Sequence, residues 1–194
     1  LADFYARNGF KAWLEELTGQ APAPKPKTAP VANPGLFDEA GPPAGAAEVS
    51  RQYETILSFD QLDAWISRLR AAPLCALDTE TDSLDPMAAR IVGISFADKP
   101  GEAAYVPLHH SGPDAPAQLP FDEVLARLKP WLEDASAPKI GQNLKYDWHV
   151  LANHGIALRG VQHDTLLQSY VLEAHKTHNL EALAERHLGR KFLI

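Results

Sequence analysis

The sequence predicts an α/β fold built on a mixed β-sheet that is flanked by helices. From about residue 51, short apolar runs alternate with longer stretches whose apolar residues recur at helical spacing. Two of the runs are joined by the turn-forming pair Pro100-Gly101, which is typical of neighbouring antiparallel strands. The later runs are separated by amphipathic stretches, which is typical of parallel strands connected by helices. A sheet that combines both kinds of connection is mixed.

The strands and helices follow one another closely after residue 51. The predicted strands are YETIL (53–57), LCALDTE (74–80), ARIVGISFAD (89–98), EAAYVPL (102–108) and PKIGQ (138–142). The predicted helices are SFDQLDAWISRLRAA (58–72), FDEVLARLKPWLED (121–134), NLKYDWHVLANHG (143–155), DTLLQSYVLEA (164–174) and NLEALAERHLG (179–189). Ser58 is a favourable N-cap for the first helix, and Gly155 and Gly189 are typical helix stops.

Two segments precede this pattern. Residues 1–17 contain helically spaced apolar residues, but 17 residues cannot bury a core of their own, so we expect the end of a preceding domain. Residues 18–50 hold seven prolines and four glycines among few apolar residues. This composition predicts a disordered linker.

The bulk composition sets broad limits on function. The sequence has no run of 18 apolar residues and no basic-then-apolar leader, so we expect neither a membrane span nor a signal peptide. Its single cysteine, Cys75, excludes an internal disulfide and lies in an apolar strand, where a small core residue is expected. The net charge of −7 at first argues against a nucleic-acid partner, but the charge is unevenly spread, and residues 139–194 are mildly basic.

A dense group of carboxylates follows the apolar run LCAL. It comprises Asp78, Glu80, Asp82 and Asp85. Residues two apart on a strand share a face, so Asp78 and Glu80 project together at the end of a buried strand. Two such carboxylates repel each other unless a proton or a cation lies between them, and oxygen ligands suit Mg²⁺ or Mn²⁺. From spacing alone, a metal site and a solvated polar turn remain equally open.

A second group of polar residues lies in GQNLKYD (141–147). On a helix, Asn143 and Asp147 are four residues apart and share a face, with Leu144, Val150 and Leu151 expected on the opposing core face. Asn143 could be an N-cap only, whereas Asp147, in the second turn, is less easily explained by capping. Further along, Asp164 precedes an apolar helix and is either its N-cap, which we favour, or an outer carboxylate of the site.

Four stretches carry a family resemblance over residues 51–194. They are LDTETDSLD (77–85), the strand pair after it, GQNLKYD, and DTLLQSYVL with NLEALAERHL. In this order and spacing they resemble the 3′–5′ exonuclease domain of bacterial DNA polymerase I, which belongs to the DEDD exonucleases and has a ribonuclease-H-like fold. The resemblance implies that residues 1–17 end a 5′-nuclease domain. The family's third motif, a tyrosine three residues before a final aspartate, would lie beyond Ile194.

The resemblance also implies the site residues. Asp78 and Glu80 correspond to the metal ligands of the first motif, and Asp147 corresponds to the aspartate of the second motif. By the same resemblance Asp78 bridges two ions, Glu80 binds the nucleophile-side ion, and Asp147 acts on the other. Asp82 and Asp85 are left as turn and surface acids. Five residues match positions around the 3′-terminal nucleotide: Thr81, Leu84, Gln142, Asn143 and Tyr146.

The implied activity is two-metal proofreading hydrolysis at a 3′ end, in DNA replication and repair. The implied cofactors are two Mg²⁺ or Mn²⁺ ions. The implied partner is DNA with a single-stranded or frayed 3′ end, and the product is a deoxynucleoside monophosphate. We further expect a monomer within a larger polymerase chain, without membrane association, in the bacterial cytoplasm near the nucleoid.

Three other kinds of function are alternatives to a 3′–5′ exonuclease. A zinc site is disfavoured because the eight histidines show no tight ligand spacing. A phosphatase of the haloacid-dehalogenase type would need an aspartate where Glu80 stands, and a later acidic pair. A catalytically inert nucleic-acid-binding or structural module remains the main alternative, because the third motif is missing from the sequence.

Overall fold

The computed structural model describes Ala2 and residues 51–189. Residues 51–189 contain a six-stranded sheet and its helices. The strands are β1 (Gln52–Thr55), β2 (Cys75–Thr81), β3 (Ile91–Lys99), β4 (Glu102–Pro107), β5 (Lys139–Gly141) and β6 (Val161–Asp164). The helices are α1 (Phe59–Ala71), α2 (Phe121–Leu132), α3 (Leu144–Asn153), α4 (Thr165–Glu173) and α5 (Leu180–Leu188).

The sheet is mixed, as the sequence predicts. Its spatial order is β1-β4-β3-β2-β5-β6. The β2–β3 and β3–β4 pairs are antiparallel, whereas β1–β4, β2–β5 and β5–β6 are parallel. The order places β2, with its carboxylates, near the middle of the sheet, where strands are held on both sides.

One strand, β6, was not predicted from the sequence. The four residues of β6 pair with β5 and end at Asp164, where the sequence predicted only a helix start. Because β6 is short and lacks apolar alternation, periodicity cannot reveal it. Its pairing matters for the site, since it brings Asp164 to the same sheet edge as the end of β5.

Apart from Ala2, residues 1–50 lie outside the described residues, so the predictions for residues 1–17 and 18–50 remain predictions. Among the residues that are described, no helix combines the length and the apolar character needed to cross a membrane.

The core lies on one face of the sheet. Along β2 the burial alternates, with Cys75, Leu77 and Thr79 buried and the residues between them exposed. The helices contribute Leu62, Trp65, Ile66 and Leu69 from α1, and Val124, Leu128, Trp131 and Leu132 from α2. The predicted role of Cys75 as a core residue is confirmed, since its thiol is buried and donates to the Leu69 carbonyl at 3.3 Å.

The predicted helix ends are also found. Ser58 caps α1 through a capping box, in which its Oγ accepts from the Gln61 N–H at 3.3 Å and Gln61 Oε1 accepts from the Ser58 N–H at 3.0 Å. Gly189 ends α5 with a φ of 62°, a left-handed conformation that costs glycine little.

Candidate active site at the end of strand β2

Strand β2 places Asp78 and Glu80 on the face of the sheet opposite the core. Both side chains are exposed, whereas Thr79 between them points into the core and is 7% exposed. In the antiparallel β2–β3 pair, Asp78 lies opposite Ser95 and Glu80 lies opposite Gly93. The expectation that the two carboxylates share a face is therefore confirmed.

The electrostatic environment of Asp78 is unfavourable for its charged form. Loss of hydration, then repulsion from Asp147 and from Glu80, raises the pKa of Asp78 to about 6 from an ordinary value of 3.8. The N–H of Thr79 acts in the opposite direction. Asp147 and Glu80 therefore both disfavour the charged form of Asp78, and a cation beside Asp78 would relieve this repulsion.

Asp147 is almost fully buried, with 2% of its surface exposed. Its Oδ1 accepts hydrogen bonds from the Thr79 N–H at 2.9 Å and from the Thr79 hydroxyl at 2.6 Å. Burial raises the pKa of Asp147, and these two bonds counteract the rise. The prediction that Leu144, Val150 and Leu151 lie on a face opposed to Asp147 is wrong. All three are buried together with Asp147, because three to four residues bring a helix back to the same side.

Asp164 caps two helices at once. Its Oδ1 accepts from the N–H of Leu166 at 2.9 Å, at the start of α4, so the favoured N-cap role is confirmed. The same carboxylate also accepts from the N–H groups of Asn143 at 3.1 Å and Leu144 at 2.9 Å, at the start of α3. Asn143 occupies the N-cap position of α3 in a left-handed conformation, but its side chain makes no capping bond. Asp164 supplies that function instead.

Tyr146 ties helix α3 to the loop after β2. Its hydroxyl lies 2.5 Å from the Thr81 Oγ1 and donates to the Ser83 carbonyl. The next residue, Leu84, is 95% exposed, although it is a large apolar side chain. Tyr146 thus holds a loop that presents Leu84 to solvent beside the carboxylates.

Gln142 is held at both ends of its side-chain amide. Its Nε2 donates to the His178 carbonyl at 2.8 Å, and its Oε1 accepts from the Thr165 hydroxyl. Gln142 and Thr165 line a groove of ≈390 Å³ together with Asp78 and Leu180. The structure thus brings Gln142 to the same groove as Asp78.

The other acids of the β2 segment shape the loop. Asp82 Oδ1 accepts from the Arg90 N–H at 2.8 Å, and Asp85 Oδ1 accepts from the Met87 N–H at 3.0 Å. These contacts match the expected roles of Asp82 and Asp85 as turn acids.

The chemical type of the donors suits a hard divalent cation, because Asp78, Glu80 and Asp147 offer only carboxylate oxygens. Between residues 51 and 189, however, no group of three or more His, Cys, Asp or Glu side chains is arranged so that it could hold a metal ion. Asp147 Oδ1 is already occupied by two hydrogen bonds from Thr79. Asp78 and Glu80 therefore remain the candidate ligand pair.

Thr79 is the site residue that the sequence analysis missed. Because Thr79 lies between two acids on a strand, its side chain projects from the opposite, buried face of the sheet. On that face the buried carboxylate of Asp147 needs a hydrogen-bond donor. The alternation of side chains along the strand was therefore the sequence signal that could have identified Thr79.

Comparison with known proteins identifies close relatives. A family model described as 3′–5′ exonuclease matches residues 53–194. DNA polymerase I of Pseudomonas aeruginosa is 47% identical over 192 residues, which cover 97% of this chain and 20% of that relative. DNA polymerase I of Rhizobium leguminosarum is 40% identical over 202 residues, which cover 91% of this chain and 20% of that relative. The chain therefore spans about a fifth of the length of these curated relatives.

Solved structures support the same fold. The POL domain of Pol1 from M. smegmatis, in complex with DNA primer-template and dNTP, matches with a TM-score of 0.58 at 27% identity, over 71% of this chain and 23% of that one. Brucella melitensis NrnC with bound Mg²⁺ matches with a TM-score of 0.52 at 21% identity, over 74% of this chain and 64% of that one. The predicted α/β, ribonuclease-H-like fold class is confirmed. By family match and by sequence identity, the chain belongs to the 3′–5′ exonuclease domains of bacterial DNA polymerase I.

Proposed function

We propose that this chain hydrolyses the 3′-terminal phosphodiester of DNA, with Asp78, Glu80 and Asp147 at the reacting centre. The observation that carries the proposal is the environment of Asp78, where loss of hydration, together with repulsion from Asp147 and Glu80, raises the pKa of Asp78 to about 6. Such a perturbed carboxylate at the end of a central strand is typical of a functional site. Membership of the exonuclease family supports the same assignment.

The reaction transfers the 3′-terminal nucleotidyl group to water. The water oxygen bonds to phosphorus, the bond to the 3′ oxygen of the preceding nucleotide breaks, and that oxygen takes up a proton as a deoxynucleoside monophosphate leaves. When bound, two divalent ions, Mg²⁺ or Mn²⁺, would supply charge neutralisation and activation of water. Asp78 and Glu80 would hold them from β2, and Asp147 would act from α3.

The protein's own residues orient the 3′ end. Leu84 is a large apolar side chain that is 95% exposed, and it would pack against the terminal base. Tyr146 and Thr81 would position Leu84 through the loop they hold. Gln142, fixed at both ends of its amide, and Asn143 would border the terminal nucleotide on the β5 side. A site of this kind takes unpaired ends, so single-stranded or frayed DNA is the proposed substrate.

A second candidate function is a nucleic-acid-binding module without catalysis. The observation in its favour is that, over the described part of the chain, the carboxylates do not form a complete group of three metal ligands. The two candidates differ in their need for a divalent cation, since phosphate binding through positive side chains requires none.

The test uses a single-stranded oligonucleotide with a labelled 5′ end. It compares the rate at which nucleotides are removed from the 3′ end by the chain and by a protein extended to the length of its relatives. Asp78→Ala in the extended protein should lower the Mg²⁺-dependent rate by several orders of magnitude. Asp85→Asn, which changes a turn acid of the same segment, should retain activity. A near-full rate for Asp78→Ala would refute the site, and cation-independent DNA binding without cleavage by the extended protein would favour the binding module.

A further inference from the structure

Tyr105 lies on the same face of the sheet as the site carboxylates. Across the antiparallel strands, Asp78 pairs with Ser95, and Ser95 pairs with Tyr105 of β4. Directly opposed residues in neighbouring strands project from the same face. The row that begins with Asp78 on β2 therefore ends with Tyr105 on β4.

The Tyr105 side chain leans from its own row over Gly93, which is the partner of Glu80. A Cβ added at Gly93 would lie 1.9 Å from the Tyr105 hydroxyl oxygen and 2.3 Å from Cζ. That virtual Cβ would project from the same face as Glu80, since Glu80 and Gly93 are directly opposed. Opposed Cβ atoms lie about 4.5–5.5 Å apart, so the hydroxyl occupies the space beside the Glu80 side chain.

The position of the hydroxyl is fixed from the other side by His110. The Tyr105 Oη lies 2.5 Å from His110 Nε2, and the two rings meet at an interplanar angle of 64°. The His110 backbone is itself held by Gln118, whose Oε1 accepts from the His110 N–H at 2.8 Å and whose Nε2 donates to the His110 carbonyl at 2.9 Å. Gln118, His110 and Tyr105 therefore form a continuous hydrogen-bonded support.

We propose that Tyr105, supported by His110 and Gln118, is a positioning residue that confines the Glu80 carboxylate to the side of β2 where Asp78 lies. The inference rests on the proposed function in so far as the confined carboxylate serves a cation. Gly93 is part of the same device, because any larger residue would occupy the space of the hydroxyl. The proposal also accounts for the environment of Tyr105, whose pKa is raised by burial and by the negative charge of Glu80.

The primary test needs no metal. Three-bond NMR couplings report the χ1 rotamer of Glu80 in the cation-free chain, and we expect a single rotamer in the wild type. Tyr105→Phe removes the hydroxyl while keeping the ring, and it should average these couplings. The matched control is Tyr53→Phe, the same change at a tyrosine that is 70% exposed on β1. Averaged couplings in the wild type, or unchanged couplings in Tyr105→Phe, would overturn the proposal.

The second test measures Mn²⁺ binding to the same three proteins by electron paramagnetic resonance. Tyr105→Phe should weaken binding at least fivefold, whereas Tyr53→Phe should leave it unchanged. Equal affinities of wild type and Tyr105→Phe would contradict a role of Tyr105 in cation binding. If the wild type binds no Mn²⁺ while the couplings respond as expected, the proposed metal chemistry fails and the positioning of Glu80 by Tyr105 stands.

Discussion

Thr79 and Asp147 are joined by two hydrogen bonds to a single oxygen. Asp147 Oδ1 accepts from the backbone N–H of Thr79 at 2.9 Å and from its hydroxyl at 2.6 Å. Thr79 stands between Asp78 and Glu80 on β2, and Asp147 stands on α3. The pair therefore connects the two elements that carry the candidate site, and it keeps a nearly buried carboxylate supplied with donors.

The first prediction concerns the hydroxyl of this pair. Thr79→Val keeps the side-chain shape but removes one donor to Asp147, so the free energy of unfolding should fall by about 1–3 kcal/mol at pH 7. Urea titration followed by circular dichroism measures the change. Thr79→Ser retains the hydroxyl and should lose much less. A larger loss in Thr79→Ser than in Thr79→Val would show that packing of the methyl group, and not the hydrogen bond, stabilises the pair.

The second prediction is a pH dependence of stability. The pKa of Asp78 is about 6 in the folded protein against an ordinary 3.8, so between about pH 4 and 6 the folded state binds more protons than the unfolded state. The cation-free protein should therefore lose stability as pH rises through this window, and the loss should be complete above it. Because Asp78 is exposed, solvent screening reduces the expected contribution to about 1 kcal/mol.

Asp78→Asn isolates this contribution. The variant should show a flatter stability profile between pH 4 and 6, and it should be more stable than wild type at pH 7.5 by about 1 kcal/mol. Urea unfolding at several pH values in the presence of a chelator measures both quantities. Wild-type behaviour of the variant across the window would mean that Asp78 is not destabilised by its carboxylate neighbours.

Much of the fold could be predicted because its signals are local. The alternation in β2 and the apolar face of α1 both appear in the sequence, as does the Ser58 cap. The strand β6 could not be predicted, since its four residues are defined by pairing with β5 and not by their own pattern.

The candidate site divides in the same way. The shared face of Asp78 and Glu80 follows from strand geometry alone. The double capping by Asp164 could not be inferred, because it requires β6 to bring that residue beside the start of α3. The overhang of Tyr105 above Gly93 depends likewise on the register of three strands.

The third prediction concerns Leu84. Because this side chain is 95% exposed and packs against nothing in the described residues, Leu84→Ala should change the free energy of unfolding by less than about 0.5 kcal/mol. It should nevertheless weaken binding of a single-stranded oligonucleotide, by about 1 kcal/mol or roughly fivefold, if the terminal base buries its apolar surface. Fluorescence anisotropy with Ca²⁺ in place of Mg²⁺ measures the affinity without cleavage. Met87→Ala, at an exposed apolar residue of the same loop, serves as the control and should bind normally.

The last prediction concerns the two helices that share Asp164. Asp164→Ala removes the acceptor for the first N–H groups of both α3 and α4. The free energy of unfolding should therefore fall by about 2–3 kcal/mol, roughly twice the usual cost of losing one cap. Asn179→Ala is the matched control, since Asn179 caps only α5, through the Ala182 N–H at 3.0 Å. Urea unfolding of both variants gives the comparison.

A second observable separates capping from charge. Repulsion from Asp164 contributes to the raised pKa of Asp147, so Asp164→Asn should lower the pKa of Asp147 as well as weaken the caps. NMR titration of the Asp147 carboxyl carbon in a protein that remains folded measures this effect. A loss in Asp164→Ala no larger than that in Asn179→Ala would mean that only one helix depends on Asp164. In that case α3 would be held by its contacts with β2, chiefly those between Asp147 and Thr79.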